Sequence, residues 1–317
     1  MENPYLGGYR AGSRSRARAS FRQPYLSLAA AVLLGGCDLI NPAEDVPAYL
    51  QLDPFTYTPG VMGAPVTAEL PSAKVYADGL LIGIFDLPAK VPVLAAGNVP
   101  VRIVPAIIVD GQRATRYEYP FYTDVKQTLD LVPGATTRLA LPVSFNERAI
   151  QTDFDVSDDF DNAADIRDFG SPRSTLPVGI NYTLEAGVTE GGRAGVGRVK
   201  GLPNRTDNFL LESIWKGPLP QRGAAVYLEL DYYSTMEFRV GVSTGLTSQP
   251  TSIRSYRADL KVLPKREWTK LYVNLTEEVS GVNNPTGADF QVFIQGFPTG
   301  AATDVLALDN VRLVRPK

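Results

Sequence analysis

From Ala48 onward the chain alternates short apolar runs with clusters of Gly, Pro, Asn and Asp. Ala48–Leu52, Ala73–Ala77, Leu80–Phe85, Val99–Ile108, Tyr117–Tyr122, Lys126–Leu131 and Thr136–Pro142 each have strand length and a continuous apolar or period-two character. Asp78-Gly79, between two of these runs, predicts a type I′ hairpin because both central residues of that turn need positive φ; Asp110-Gly111 repeats the signal. No window of about a dozen residues holds a 3.6-residue period. Residues 48–147 are therefore expected to form a seven-stranded β-sandwich.

A change in pattern near Val143–Ile150 predicts a boundary, with a second domain over 148–317. Its candidate strands are Gln151–Val156, Gly195–Lys200, Phe209–Trp215, Ala225–Tyr233, Glu237–Ser243, Ser255–Val262, Thr269–Leu275, Phe290–Phe297 and Val305–Val314. With only Asp161–Phe169 available for a short helix, this series predicts a jelly roll, and the chain as a whole is expected to be all-β. Alternation along Ala225–Tyr233 puts Tyr227, Glu229, Asp231 and Tyr233 on one face, and along Thr269–Leu275 it sets Trp268, Lys270, Tyr272 and Asn274 opposite Leu271, Val273 and Leu275. If the two strands are sheet neighbours, their mixed faces lie together. Rings that stack on sugar C–H faces, beside carboxylates that take the hydroxyls, would make a glycan platform of Tyr227, Glu229, Asp231, Tyr233, Trp268 and Tyr272. The same pattern also describes a half-exposed sheet, or a face packed on the first domain, with Trp268 plugging the core edge.

The segment before Ala48 is of another kind. Arg10, Arg14, Arg16, Arg18 and Arg22 precede the apolar run Tyr25 to Leu34, which is too short to span a bilayer and ends at Gly35-Gly36-Cys37. Residues 1–36 thus have the three parts of a cleaved signal peptide, and Cys37 is the only cysteine of the chain. Leu34-Gly35-Gly36-Cys37 resembles a bacterial lipobox, which implies lipid on Cys37 and a location in the cell envelope, anchored to a membrane. Residues 37–47, with two prolines, would be the tether. Cleavage would take five arginines and one glutamate from 31 basic and 34 acidic residues, leaving 281 residues with a net charge of −7. No basic block then remains to neutralise a run of phosphates, which argues against a nucleic-acid partner. The anchor must be the acyl chains and not a polybasic patch.

The absence of histidine excludes Ser-His and Cys-His nucleophile pairs and His-ligated metals. With its lone cysteine lipidated, the chain can hold no internal disulfide. Seven carboxylates fall between Asp153 and Asp168. They fail as an EF-hand because Asp158 stands where glycine is required and Ala164 where glutamate is. The run reads as a solvated acidic loop or, with Asp153 and Asp155 near Asp309, as a structural calcium site; no other cofactor is expected. Ser213-Ile-Trp-Lys216 matches S-x-x-K, but at a strand end its serine and lysine would point to opposite faces, so no serine acyl-enzyme is expected. No pair of carboxylates stands out for glycoside hydrolysis. In Arg113 to Tyr122, alternation would expose Tyr117, Tyr119 and Phe121 together beside Arg113 and Arg116. Those types suit a protein interface, while Pro120 suits an edge strand.

Three stretches carry a family resemblance. Leu308-Asp-Asn-Val-Arg-Leu313, preceded by Trp268-Thr-Lys-Leu-Tyr-Val-Asn-Leu275 and Tyr227-Leu-Glu-Leu-Asp-Tyr-Tyr233, resembles the galactose-binding-like β-sandwiches that include many carbohydrate-binding modules. Lys74-Val-Tyr-Ala-Asp-Gly-Leu-Leu-Ile-Gly83 is similar to PEGA-like and immunoglobulin-like modules of bacterial surface proteins. Together with the leader, the layout resembles two-domain envelope lipoproteins of Bacteroidota. It implies an immunoglobulin-like sandwich followed by a jelly roll, in a non-catalytic protein at the outer membrane that binds polysaccharide or an envelope protein, with a carboxylate-based glycoside hydrolase as the third reading.

Overall fold

The structure is a computed structural model and describes residues 44–59, 67–112, 114–146, 156–158, 160, 180–186, 193–200, 209–246, 254–281, 287–301 and 303–316. Eight strands come first: β1 (Ala48–Thr58), β2 (Ser72–Ala77), β3 (Leu80–Asp86), β4 (Ala89–Val93), β5 (Gly97–Ile108), β6 (Arg116–Glu118), β7 (Val125–Leu131) and β8 (Thr136–Ser144). They form a sheet of order β4-β1-β8 and a sheet of order β3-β2-β5-β6 in which β7 also pairs with β5. The core between the sheets comes from alternate positions, among them Leu50 and Leu52 of β1, Val75 of β2, Val101 and Ile103 of β5, and Leu139 and Leu141 of β8. Asp78 and Gly79 take φ of 49° and 76°, as the hairpin signal requires, and Asp110 and Gly111 take 57° and 66°. The strand not expected is β4. Its Pro92 argues against a strand interior, but β4 is the edge of its sheet, where a missing N–H is tolerated.

The second set comprises β9 (Ser157–Asp158), β10 (Ile180–Ala186), β11 (Arg193–Lys200), β12 (Phe209–Glu212), β13 (Tyr227–Ser234), β14 (Glu237–Leu246), β15 (Ser255–Val262), β16 (Lys265–Asn274), the helix α1 (Thr276–Ser280), β17 (Ala288–Phe297) and β18 (Thr303–Val314). One sheet has the order β10-β11-β18-β13-β16, with β9 on β18, and the other the order β12-β17-β14-β15. Leu228, Leu230, Leu271, Val273 and Leu308 of the first meet Phe238, Val240, Phe290, Val292 and Ile294 of the second in a continuous core. The fold is thus all-β and built of sandwiched sheets, as expected. β10 goes beyond the expectation, although Ile180, Tyr182 and Leu184 carry the period-two signal. The expected helix Asp161–Phe169, nearly all of the expected strand Gln151–Val156, and the boundary at 147/148 lie outside the described residues.

The two sandwiches do not stand apart, since residues 47–317 cluster as one compact unit. Ile107, Val109, Tyr119, Phe121, Tyr122 and Phe145 of the first pack with Tyr227, Tyr272 and Val314 of the second. The backbone joins as well. Val109 bridges to Tyr272, the Asp110 N–H donates to the Tyr272 carbonyl at 2.9 Å, and the Asn274 N–H donates to Asp110 Oδ1 at 3.1 Å.

Candidate functional site

β13 and β16 are antiparallel neighbours, with Glu229 opposite Tyr272 and Asp231 opposite Lys270, so the six glycan-platform candidates do share one sheet face. The structure leaves little of that face open. Tyr227, Glu229, Asp231 and Tyr272 are buried beneath the first sandwich, which corrects their reading as an exposed platform. The covering residues include its Tyr119 to Tyr122 turn and the segment from Thr67 to Glu69. Tyr119 lies with ring centroids 5.1 Å from Tyr227, 5.3 Å from Tyr272 and 4.8 Å from Tyr122.

This turn also corrects the second candidate patch. β6 ends at Glu118 and the chain reverses at Pro120, with the Tyr122 N–H donating to the Tyr119 carbonyl, so alternation stops there. Tyr119 and Phe121 are therefore buried and only Tyr117 is exposed. Arg116 donates from Nε to Ser72 Oγ at 2.7 Å and pairs with Asp86 at 3.3 Å, while Arg113 lies outside the described residues.

Inside the joint sits a polar cluster. The Tyr119 hydroxyl donates to Glu229 Oε1. Asp231 Oδ2 accepts from Thr67 Oγ1 at 2.7 Å and from Asn310 Nδ2 at 3.0 Å. Asn310 reaches it from a bulge in β18, where its φ is 49°. The Lys270 ammonium stands 3.4 Å from Thr67 Oγ1, 3.6 Å from Glu229 Oε2 and 3.7 Å from Asp231 Oδ2. Burial pushes the Glu229 carboxyl above its ordinary range, against the opposing pull of Lys270, the Tyr119 hydroxyl and Arg312. In the pH window between the ordinary glutamate value and this raised one, the folded chain holds a proton that the unfolded chain has released. Stability from this group therefore falls as pH rises through that window, by at most about 1.4 kcal/mol per pH unit. Thermal unfolding followed upward from pH 4 should show the decline, and Glu229→Gln should flatten it. Equal slopes for the two proteins would rule the group out as its source.

What stays accessible of the predicted platform is one pair. Tyr233 and Trp268 are half-buried, with centroids 6.4 Å apart and planes at 54°. They pack on Ala194, Val196 and Ala307 of β11 and β18, small side chains that leave room for rings on the sheet surface.

The outer face of the other sheet holds residues that sequence reasoning did not single out. Toward the C-terminal end of β14 this face shows Gly241, Ser243 and Gly245, opposite Phe293, Gln291 and Asp289 of β17. Arg254 lies across them, donating from Nε to Ser243 Oγ at 3.1 Å and from a terminal nitrogen to the Asp289 carboxylate, which Lys216 also approaches at 2.9 Å. Tyr256, exposed in part, meets the Phe293 ring edge-on at 4.9 Å. The Gly-x-Ser-x-Gly alternation in β14 is the sequence signal for this strip of small residues. The S-x-x-K residues prove to be engaged apart from one another: Ser213 Oγ donates to the Trp215 carbonyl at 2.9 Å, and Lys216 pairs with Asp289.

Of the calcium candidates, Asp153 and Asp155 lie outside the described residues, as does Cys37. Asp309 is buried opposite Asp231 and accepts the Asn310 N–H at 2.7 Å. Among the described residues no three acidic or thiol side chains gather as metal ligands.

No family model and no curated protein matches this chain. Among solved structures, it is similar to the enzymatically active domain of a tailspike protein of bacteriophage CBA120, at 14% identity and TM-score 0.35, over 50% of this chain and 20% of that one, so it spans only a fifth of that domain. It is also similar to the family 11 carbohydrate-binding module of Clostridium thermocellum, solved with a β-1,3-1,4-mixed-linked tetrasaccharide, at 9% identity and TM-score 0.30, over 44% of this chain and 85% of the module. A carbohydrate-binding module of the β-sandwich superfamily covers 76% of this chain and is itself covered over 84%, at 10% identity and TM-score 0.32. Likenesses of this strength assign no ligand to the chain.

Proposed function

We propose that this is a non-catalytic, glycan-binding lipoprotein of the cell envelope, held by lipid on Cys37, with the outer membrane as its location. The observation that carries the glycan reading is the Tyr233–Trp268 pair, two half-buried rings side by side on small residues of one sheet. Adjacent rings of this kind offer stacking surface to successive sugar units, with little entropy lost because packing already holds them. The non-catalytic reading is supported by the lack of histidine and by the place of Glu229 and Asp231, which are closed in a joint and do not face each other across an open cleft.

A protein partner is the second reading, favoured by β3. This strand ends its sheet and leaves Leu80, Leu81 and Ile84 exposed, 71%, 53% and 44% respectively. Apolar side chains on an open strand edge are a template for strand addition.

A polysaccharide array probed with the full protein separates the two readings. Under the glycan reading the wild type is retained, and Trp268→Ala and Tyr233→Ala each weaken retention roughly tenfold, about 1.4 kcal/mol, without loss of folding. Failure of the wild type to bind any polysaccharide would overturn this reading in favour of β3 and a protein partner. Loss through Tyr256→Ala alone would move the platform to the other sheet. For the anchor, the protein should sediment with membranes, and Cys37→Ala should release it or leave it unprocessed; a soluble wild type without added lipid mass would refute the anchor.

A further inference from the structure

The joint cluster has an arrangement that hydrogen bonding alone does not account for. Lys270, Glu229 and Asp231 are each at least nine-tenths buried, yet the ammonium makes no contact with a carboxylate closer than 3.6 Å, and Glu229 Oε2 accepts no hydrogen bond. Asp231 differs in that two donors, Thr67 and Asn310, converge on its Oδ2. An ammonium beside a carboxyl whose one oxygen is held by two donors, with a second carboxyl facing the same ammonium and tyrosine rings around it, is a geometry for condensation.

We propose that Lys270 and Asp231 join in an intramolecular amide, with Glu229 as the proton relay. Glu229 takes a proton from the Lys270 ammonium, and the freed amine attacks Cγ of Asp231. Negative charge then gathers on Oδ2, where the Thr67 and Asn310 donors stabilise it. The N–C bond forms, the bond from Cγ to Oδ1 breaks, and Oδ1 leaves as water with two protons from the former ammonium, at least one of them returned by Glu229. Atoms and charge balance: an ammonium and a carboxylate give an amide and water, with no oxidant or co-reactant. The attack is favoured because the reacting groups are held as direct cross-strand neighbours. Thr67 and Tyr119 belong to the first sandwich, so the bond would form only once the two sandwiches have docked, and it would tie β13 to β16 at their joint.

Peptide mapping of the denatured full-length protein tests this directly. Trypsin cuts after Arg222, Arg239, Arg266 and Arg312, and a blocked Lys270 would resist it. The expected product is a branched peptide of 223–239 joined to 267–312, one water lighter than the sum of its parts. Lys270→Arg should abolish it, and Glu229→Gln should slow its formation about a hundredfold. Free 223–239 together with a peptide ending at Lys270 would overturn the proposal from the wild type alone, whatever the variants do. An ammonia-loss bond within 267–312 would overturn Asp231 as the acceptor in favour of Asn310, and a Glu229→Gln protein that cross-links at the wild-type rate would overturn the relay.

Discussion

Replacing Tyr119 by alanine is expected to lower the unfolding free energy by about 3–5 kcal/mol. The ring is buried at the centre of the joint, against Phe121, Tyr122, Tyr227 and Tyr272 at centroid distances of 4.8 to 5.3 Å. Truncation opens a cavity between two sheets that cannot collapse on it, because each is held by its own core. It also takes the donor from Glu229 Oε1. Tyr119→Phe keeps the ring and removes only that donor, so it should fall nearer about 1–3 kcal/mol, the scale of a buried acceptor left unsatisfied. Because the joint is what unites the sandwiches, the alanine variant should also split a single unfolding transition into two. A denaturant titration reads both effects, and a single transition displaced by less than about 1 kcal/mol would show that the joint contributes little.

Asp289→Ala should destabilise the second sandwich by a comparable amount, about 3–5 kcal/mol, for a different reason. Asp289 is the carboxylate shared by Arg254, whose side chain is 1% exposed, and Lys216, so its removal strands a buried guanidinium. The loss measures an uncompensated charge and not the net worth of the pair. Replacing Arg254 with Met and Asp289 with Leu together should therefore recover most of the loss, since an apolar pair of similar volume avoids the desolvation of both ions. Thermal unfolding of the single and double variants decides the matter. A double variant as unstable as Asp289→Ala would mean that Arg254 acts through its contacts to Ser243, and not through its charge.

Much of this architecture is legible along the chain. The hairpin at Asp78-Gly79 follows from two residues that tolerate positive φ, and the faces of β13 and β16 follow from alternation. Where the signal is weak the reason is physical. β4 carries a proline that only an edge position excuses, and Tyr117, Tyr119 and Phe121 alternate on paper but not in space, because Pro120 lies in a turn. The Arg254–Asp289 pair joins residues 35 positions apart, and no local pattern announces it.

The candidate site shows the same division most clearly. That Tyr227, Glu229, Asp231 and Tyr233 share a face is a property of one strand, because successive side chains point to opposite sides whatever lies above them. That the face meets Tyr272, Lys270 and Trp268 depends on one pairing between strands, which alternation could state only as a condition and the structure supplies. What covers the face is another kind of fact. Tyr119 meets Glu229 across 110 positions of sequence, and Thr67 meets Asp231 across 164, so burial there depends on how two finished sandwiches dock. Aromatic residues beside carboxylates read alike whether they await a sugar or another sheet, since rings bury apolar area and carboxylates take donors in either setting. The docking of the first sandwich closed four of the six positions and left Tyr233 and Trp268 accessible.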